Sequence, residues 1–257
     1  MIEKNVDPLI TKLCCFVPLS DEDKDFIEKL VGSTPRSIPA RQRLTQEGSA
    51  PDDVVLVIEG LACRFKQLLG HRRQIVSFMM AGDLSDAHGF TPRALDHGVE
   101  TVSDCRILDL PRRALVEMMT RPAIAEAMNV SSAVEDAIIK EWLINVGRRT
   151  SVERLAHLLC EFLFRVRAIG LADDNVLDFK VTRADLADST CLSVVHVSRI
   201  LQDLRDGGII RLDGETLEVR DPAALQRMGS FSEDYLELIN PHPNTSPFAR
   251  PGDSPAP

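Results

Sequence analysis

The sequence predicts an α+β chain in three parts. A run of short strands flanked by helices leads into one long helix. A C-terminal lobe of two short helices with a hairpin behind them follows. Three observations lead there. Between residues 36 and 112, short apolar runs alternate with turn signals. Between 112 and 168, apolar residues recur at helical spacing. Between 182 and 219, two helix-like segments are separated by a four-residue break and followed by Gly207-Gly208 and alternating strand residues.

The elements follow in order. Ile10, Leu13 and Phe16 mark a first helix, and Ser20-Asp21-Glu22-Asp23 opens a second with Phe26, Ile27 and Leu30 inside. The strand runs Val54–Ile58, Ile75–Met79 and Cys105–Leu110 are punctuated by Glu59-Gly60, Leu69-Gly70 and Ala81-Gly82-Asp83. That spacing suits a β-barrel or jelly roll, which Pro111 ends. Ile124, Met128, Val134, Ile138 and Trp142, with Ala127, Ala137 and Val146, form one long amphipathic stripe. Such a stripe is buried in its own domain or pairs with a second copy, so the first five are candidate dimerisation residues. Thr150-x-x-Glu153 fits a capping box, with Leu155, Leu158, Leu159 and Phe162 facing inward behind it. After Asn240, repeated prolines predict a disordered tail. The expected parts are 1–120 (roll with helices), 121–146 (long helix), 147–221 (C-terminal lobe) and 222–257 (extension).

The C-terminal lobe carries the chemistry. Thr182 and Asp185 fit a capping box, although Asp is shorter than the usual Glu. Leu186 and the small Ala187 let a second helix cross closely. Ser193 is the expected N-cap of that helix, and Val197, Ile200, Leu201 and Leu204 are its inward stripe. Val194, Val195, His196, Ser198, Arg199, Gln202 and Asp203 are left on the open face. Gly207-Gly208 closes the helix. Ile210 and Leu212 then alternate with Arg211, Asp213-Gly214 suits a type I′ turn, and Leu217 and Val219 alternate on the return. Two short helices with a wing behind are a winged helix-turn-helix, which presents its second helix to the major groove of a duplex.

Composition limits the alternatives. The chain has 257 residues and a net charge of −9, so charge alone does not draw it to nucleic acid. Between Val181 and Arg211, Arg183, Arg199, Arg205 and Arg211 balance Asp185, Asp188, Asp203 and Asp206. Such a lobe has to cluster its arginines on one face and aim helix N-termini at phosphates. No apolar run approaches the roughly 18–20 residues of a membrane span, and Met1–Asp7 carries acids rather than a basic signal start. A cytoplasmic protein off the membrane is expected. Cys14, Cys15, Cys63, Cys105, Cys160 and Cys191 form no C-x-x-C, and no histidine spacing fits zinc, so no metal site is assigned. No phosphate loop or nucleophile elbow is present, and nothing in the sequence points to an enzyme.

Taken in order, these parts resemble the Crp/Fnr superfamily of bacterial transcription regulators. The likeness is carried in the roll by Glu47-Gly48, Val57-x-Glu59-Gly60, Ala81-Gly82-Asp83-Leu84 and Cys105-x-Ile107-x-x-Leu110-Pro111. In the lobe it is carried by Thr182-Arg183-x-Asp185-Leu186-Ala187, Ser193, Val197-Ser198-Arg199-x-Leu201 and Gly208-Ile209-Ile210. It covers about residues 10–220. Arg64–Ile75, Lys140-Glu141-Trp142, Gly147-Arg148-Arg149, Glu153–Cys160 and Phe231–Leu238 resemble a subgroup common in alphaproteobacteria.

The resemblance implies a β-roll like that of cyclic-nucleotide-binding domains, a homodimer joined along the long helix, a two-fold operator in double-stranded DNA, and RNA polymerase as a partner. It implies phosphate contacts from Arg183, Ser193 and His196. It places Val194, Val195 and Arg199 at the base-reading positions, with Ser198 and Gln202 on the same face. Arg199 matches a guanine reader, whereas the two valines, where relatives are polar, can touch a thymine methyl. Cys191 stands where many members carry a turn glycine; if the position needs positive φ a Cys there is strained and its thiol a candidate sensor, but a slightly altered turn is the favoured expectation. The effector pocket is expected around Gly82, Asp83, Asp86, His88 and His97. Cyclic-nucleotide binders carry Gly-Glu and Arg-x-Ala steps in this region. Here Gly82-Asp83 and Leu95-Asp96-His97 put no cation at the phosphate position, which argues against cyclic AMP. The cysteine cluster of iron–sulfur members is absent, and haem is unmarked beyond His88 and His97. The effector is therefore unassigned. The alternative reading is a sensory or protein-binding module without a direct DNA role, which the acidic charge and the two valines favour.

Overall fold

The computed structural model describes residues 7–31, 34–86, 94–172 and 175–236. Helices α1 (Asp7–Cys14) and α2 (Asp21–Val31) come first. The Ser20 hydroxyl caps α2 by accepting from the Asp23 amide at 3.2 Å. Three acids in the first turn meet the positive end of the helix dipole.

Among the described residues, seven short strands then build the roll: β1 (Arg36–Ile38), β2 (Arg43–Thr45), β3 (Asp53–Glu59), β4 (Ala62–Gln67), β5 (Arg73–Met79), β6 (Gly98–Thr101) and β7 (Cys105–Pro111). They pair antiparallel in two sheets, ordered β1-β7-β3 and β2-β6-β4-β5. Val55, Val57, Ala62, Met79, Val99 and Ile107 are buried in the roll. Gly82 (φ 89°) lets α1 lie close, since a Cβ there would sit 2.4 Å from the Pro8 carbonyl oxygen.

Helix α3 (Arg112–Met118) leads to the long helix α4 (Pro122–Gly147), which starts on a proline in its first turn. Helix α5 (Ser151–Ala168) follows a complete capping box. The Thr150 amide donates to Glu153 at 2.6 Å, and the Glu153 amide donates back to the Thr150 hydroxyl at 3.4 Å.

The dimerisation residues expected on α4 are corrected here. Ile124 and Met128 are buried against Leu9, Leu13 and Leu115, while Val134, Ile138 and Trp142 are buried with Phe16, Phe78 and Phe162. All five are therefore used within the chain. Helical spacing marked the apolar stripe correctly but could not say what covers it. The large apolar side chains that α4 leaves exposed are Ile139, Leu143 and Ile144.

The C-terminal lobe comprises β8 (Val176–Asp178), α6 (Arg183–Thr190), α7 (Val194–Asp206), β9 (Ile210–Asp213), β10 (Thr216–Val219) and α8 (Pro222–Gly229), with sheet order β8-β10-β9. Residues 222–236, expected as an extension beyond the lobe, are part of its packing. Leu225, Phe231 and Leu236 are buried in the same core as α5. Gly229 passes so close to α5 that a Cβ would meet the His157 amide nitrogen at 2.6 Å. Trp142 Nε1 and the Tyr235 hydroxyl both donate to Glu161 Oε2 at 3.0 Å. Burial pushes the Glu161 carboxyl up from its ordinary range. The tail expected from 240 lies outside the described residues.

Roll and lobe share one core. Phe78 of β5 packs edge-on against Trp142 (5.9 Å between ring centres) and tilted against Phe162 (4.9 Å). Among the described residues, no helix is long and apolar enough to cross a membrane.

His157 is buried between Phe231 and Tyr235. Burial, aided by Arg149, pushes its imidazole down from 6.5 to about 4. The unfolded chain takes up a proton below about 6.5, whereas the folded chain resists it until about 4. The stability contributed by neutral His157 is therefore complete above pH 6.5 and is lost as pH falls toward 4, by up to about 3 kcal/mol. Denaturant titrations at pH 7.5 and 4.5 should show this loss, and His157→Gln should flatten it.

Candidate nucleic-acid interface

The lobe is assembled from local signals. The Asp185 amide donates to the Thr182 hydroxyl at 3.2 Å, and the Thr182 amide donates to Asp185 Oδ2 at 3.1 Å. The shorter Asp thus completes the box that starts α6. The helix ends at Cys191, which sits in the left-handed region at φ 57°, ψ 37°. That is a strained place for a side chain, and the turn it makes sets the crossing of the two helices. The Cys191 thiol donates to Gln74 Oε1 at 3.0 Å. Ser193 then caps α7 by accepting from the His196 amide at 3.2 Å. Val197, Ile200, Leu201 and Leu204 are buried, as the spacing predicted.

The opposite face of α7 is open. Ser193, Val194, Val195, Arg199 and Gln202 are exposed, with Val195 at 80%. His196 and Ser198 are half-buried, and the Ser198 hydroxyl donates back to the Val194 carbonyl at 2.8 Å. Gln202 Nε2 donates to Asp206 at 2.7 Å. Arg199 forms no ion pair among the described residues, so its guanidinium is available to a ligand. Thr182 and Arg183 are exposed at the start of α6.

The wing needs one correction. Thr216 pairs with Asp213, so the turn centres on Gly214-Glu215, not on Asp213-Gly214. Of these turn residues, only Gly214 has positive φ, at 59°. That is the type II′ pattern, with glycine at the first central position, in place of the expected I′. Asp213 and Glu218 are both paired with Arg211.

The expected effector residues go to different places. Gly82 faces α1. Asp83 pairs with Lys12 at 2.5 Å and Arg165 at 3.0 Å. Burial raises its pKa, but these two cations outweigh burial and hold the carboxyl below the usual range. Asp83 thus faces a cleft shared with Phe16, Met80, Glu135 and Leu236, between α1, α4 and α5. Asp86 turns to Arg112 at 3.1 Å, and His97 contacts Asp96 at 2.8 Å and the Ser85 carbonyl at 3.1 Å. His88 lies outside the described residues. Sequence spacing could not foresee this split, because Lys12 and Arg165 lie far away along the chain. Among the described residues, no group of His, Cys, Asp and Glu is placed to hold a metal.

Two residues that sequence reasoning passed over belong to the site. Arg41 donates to Asp185 through Nη1 and Nη2, both at 2.6 Å, and Arg73 donates to the same carboxylate at 2.8 Å. The available signal was an acidic pair on α6, Asp185 and Asp188, with Lys180 and Arg183 as the neighbouring cations in the sequence.

Comparison with known proteins agrees with this architecture. A model of the Crp-like helix-turn-helix domain matches residues 153–228, and a model of the cyclic nucleotide-binding domain matches residues 35–121. The nitrogen fixation regulation protein FixK of Bradyrhizobium diazoefficiens is 30% identical over 179 residues, 68% of this chain and 73% of that protein. The transcriptional activator protein FnrL of Cereibacter sphaeroides is 29% identical over 184 residues, 70% of this chain and 73% of that protein. Among solved structures, FixK2 from Bradyrhizobium japonicum shares the fold with a TM-score of 0.68 at 24% identity, covering 77% of this chain and 98% of that one. A CRP-family regulator from Thermus thermophilus shares it at 0.61 and 18% identity, covering 77% and 97%. The chain belongs to the Crp/Fnr family of transcription regulators, with a roll of the cyclic nucleotide-binding type and a Crp-like helix-turn-helix DNA-binding domain.

Proposed function

We propose that this regulator works as a homodimer that reads a two-fold duplex site with α7. One observation carries the reading: α7 is buried along its back and open along the face that holds Val194, Val195 and Arg199, which has no ion pair among the described residues. Phosphate contacts come from Arg183, Ser193 and His196 at or near the helix starts, where free amides and the helix dipole favour an anion. Arg199 reads a guanine through O6 and N7. Val194 and Val195 offer no hydrogen bond, so they contact thymine methyls, with Ser198 and Gln202 beside them.

The dimer seam is built from Ile139, Leu143 and Ile144, the apolar residues that α4 leaves exposed. Two lobes held by such a seam meet half-sites about 34 Å apart, one helical turn of DNA. FnrL is by its name an activator. We extend that reading here to a protein that contacts RNA polymerase on bound DNA in the cytoplasm. The roll senses an effector whose identity stays unassigned.

Selection from random duplexes tests the reading. The wild type should enrich a two-fold sequence, and Arg199→Ala should lose about 1–3 kcal/mol of preference at one base pair per half-site. An unchanged preference would contradict the role of Arg199. Leu143→Glu should reduce the solution mass from two chains to one and weaken operator binding. A mass of two chains in that variant would contradict the seam.

A further inference from the structure

We propose that Arg41 and Arg73, two residues of the β-roll, are positioning residues of the DNA interface: they clamp the back of α6 and so hold α7 in its reading posture. This rests on the reading of α7 given above.

The clamp is dense. Arg41 grips both oxygens of Asp185 at 2.6 Å, and its Nη2 also donates to the Thr182 hydroxyl at 3.3 Å. Arg73 donates to Asp185 at 2.8 Å, to Asp188 at 2.9 Å and to Glu100 at 2.7 Å. Beside them, Gln74 donates to the Ser189 carbonyl at 3.5 Å and accepts from the Cys191 thiol. Every residue gripped lies on α6 or at its C-terminal end, apart from Glu100 of the roll itself and Thr182, which caps α6.

The Asp185 side chain is fully buried, at 0% exposure. A buried carboxylate without a cation is strongly unfavourable, and the roll supplies two. The same carboxylate closes the capping box of α6. The roll and the first helix of the reading motif therefore depend on a single group. Arg41 also holds a backbone φ of 63°, which a non-glycine residue adopts at a cost. Its amide is fixed there by the Thr101 carbonyl at 2.9 Å.

The placement decides between holding and blocking. The clamp takes Asp185, Asp188 and the Thr182 hydroxyl, while Arg183, Val194, Val195 and Arg199 stay exposed and outside it. The clamped arrangement leaves the reading face open. Phe78 with Trp142 and Phe162 is one attachment of the lobe, on α5, and the clamp is a second, on α6. The clamp thus adds a hold on α6 to the contacts that fasten α5 to the roll, among them Arg165 with Asp83 at 3.0 Å.

The test uses the full chain and three duplexes: the two-half-site sequence that the wild type selects, a single half-site, and the two-half-site sequence with altered spacing. Arg41→Gln/Arg73→Gln should bind the two-half-site duplex at least about tenfold more weakly, because the competent posture is then a minor one. It should bind the half-site as the wild type does, and it should lose the wild-type preference for one spacing. Adding Asp185→Asn removes the stranded buried charge while keeping an acceptor for the Thr182 amide, so this triple variant reports on posture even where the double variant folds poorly. The same losses are expected of it. Two-half-site binding equal to or tighter than wild type in the folded triple variant would overturn the proposal, and the tighter result would make the contact a restraint on binding. A wild type that selects no duplex at all would instead overturn the reading of α7.

Discussion

The wedge of Phe78 between Trp142 and Phe162 is the contact on which the remaining arrangement depends. It joins a strand of the roll, the long helix α4 and helix α5 in one apolar core. Aromatic pairs of this kind bury large areas and prefer the tilted geometry seen here. Because α5 is fixed to the roll this way, α6 comes within reach of Arg41 and Arg73, and α7 is left facing outward. The long helix is thereby committed along its buried side and presents only its opposite side to other molecules.

Charge is organised around the same junction. Lys12 and Arg165 meet at Asp83, Arg165 continues to Glu161, and Trp142 and Tyr235 complete that carboxylate's partners. Buried charges are costly alone and tolerable when paired and hydrogen-bonded. The residues expected to form an effector pocket are partly absorbed by this network. The net charge of −9 and the neutral helix-turn-helix segment fit a protein that reads DNA through shape and a few placed groups rather than general attraction.

Much of the reading lobe was legible in the sequence because its signals are local. Capping boxes at Thr150 and Thr182, the Ser193 cap and the stripe from Val197 to Leu204 each operate within one or two turns. Cys191 keeps the positive φ of the turn glycine it replaces, rather than the slightly altered turn expected from the sequence. The misses share one cause, namely distance along the chain. Arg41 and Asp185 are 144 residues apart, and Arg73 and Asp185 are 112 apart, so no window connects them. The α4 stripe was real, but its occupant is the chain's own core. The wing turn slipped by one residue because Asp-Gly marks a hairpin without fixing which two residues are central.

The central claim is that α7 meets the duplex with its open face while α6 stays seated on the roll. Hydrogen exchange of the full chain with and without its selected duplex tests this most directly. The account predicts new protection confined to the N-terminal ends of α6 and α7, with exchange toward the C-terminal end of α6, near Asp188 and Ser189, unchanged. Protection elsewhere with none at the start of α7, or faster exchange toward the C-terminal end of α6 on binding, would contradict it.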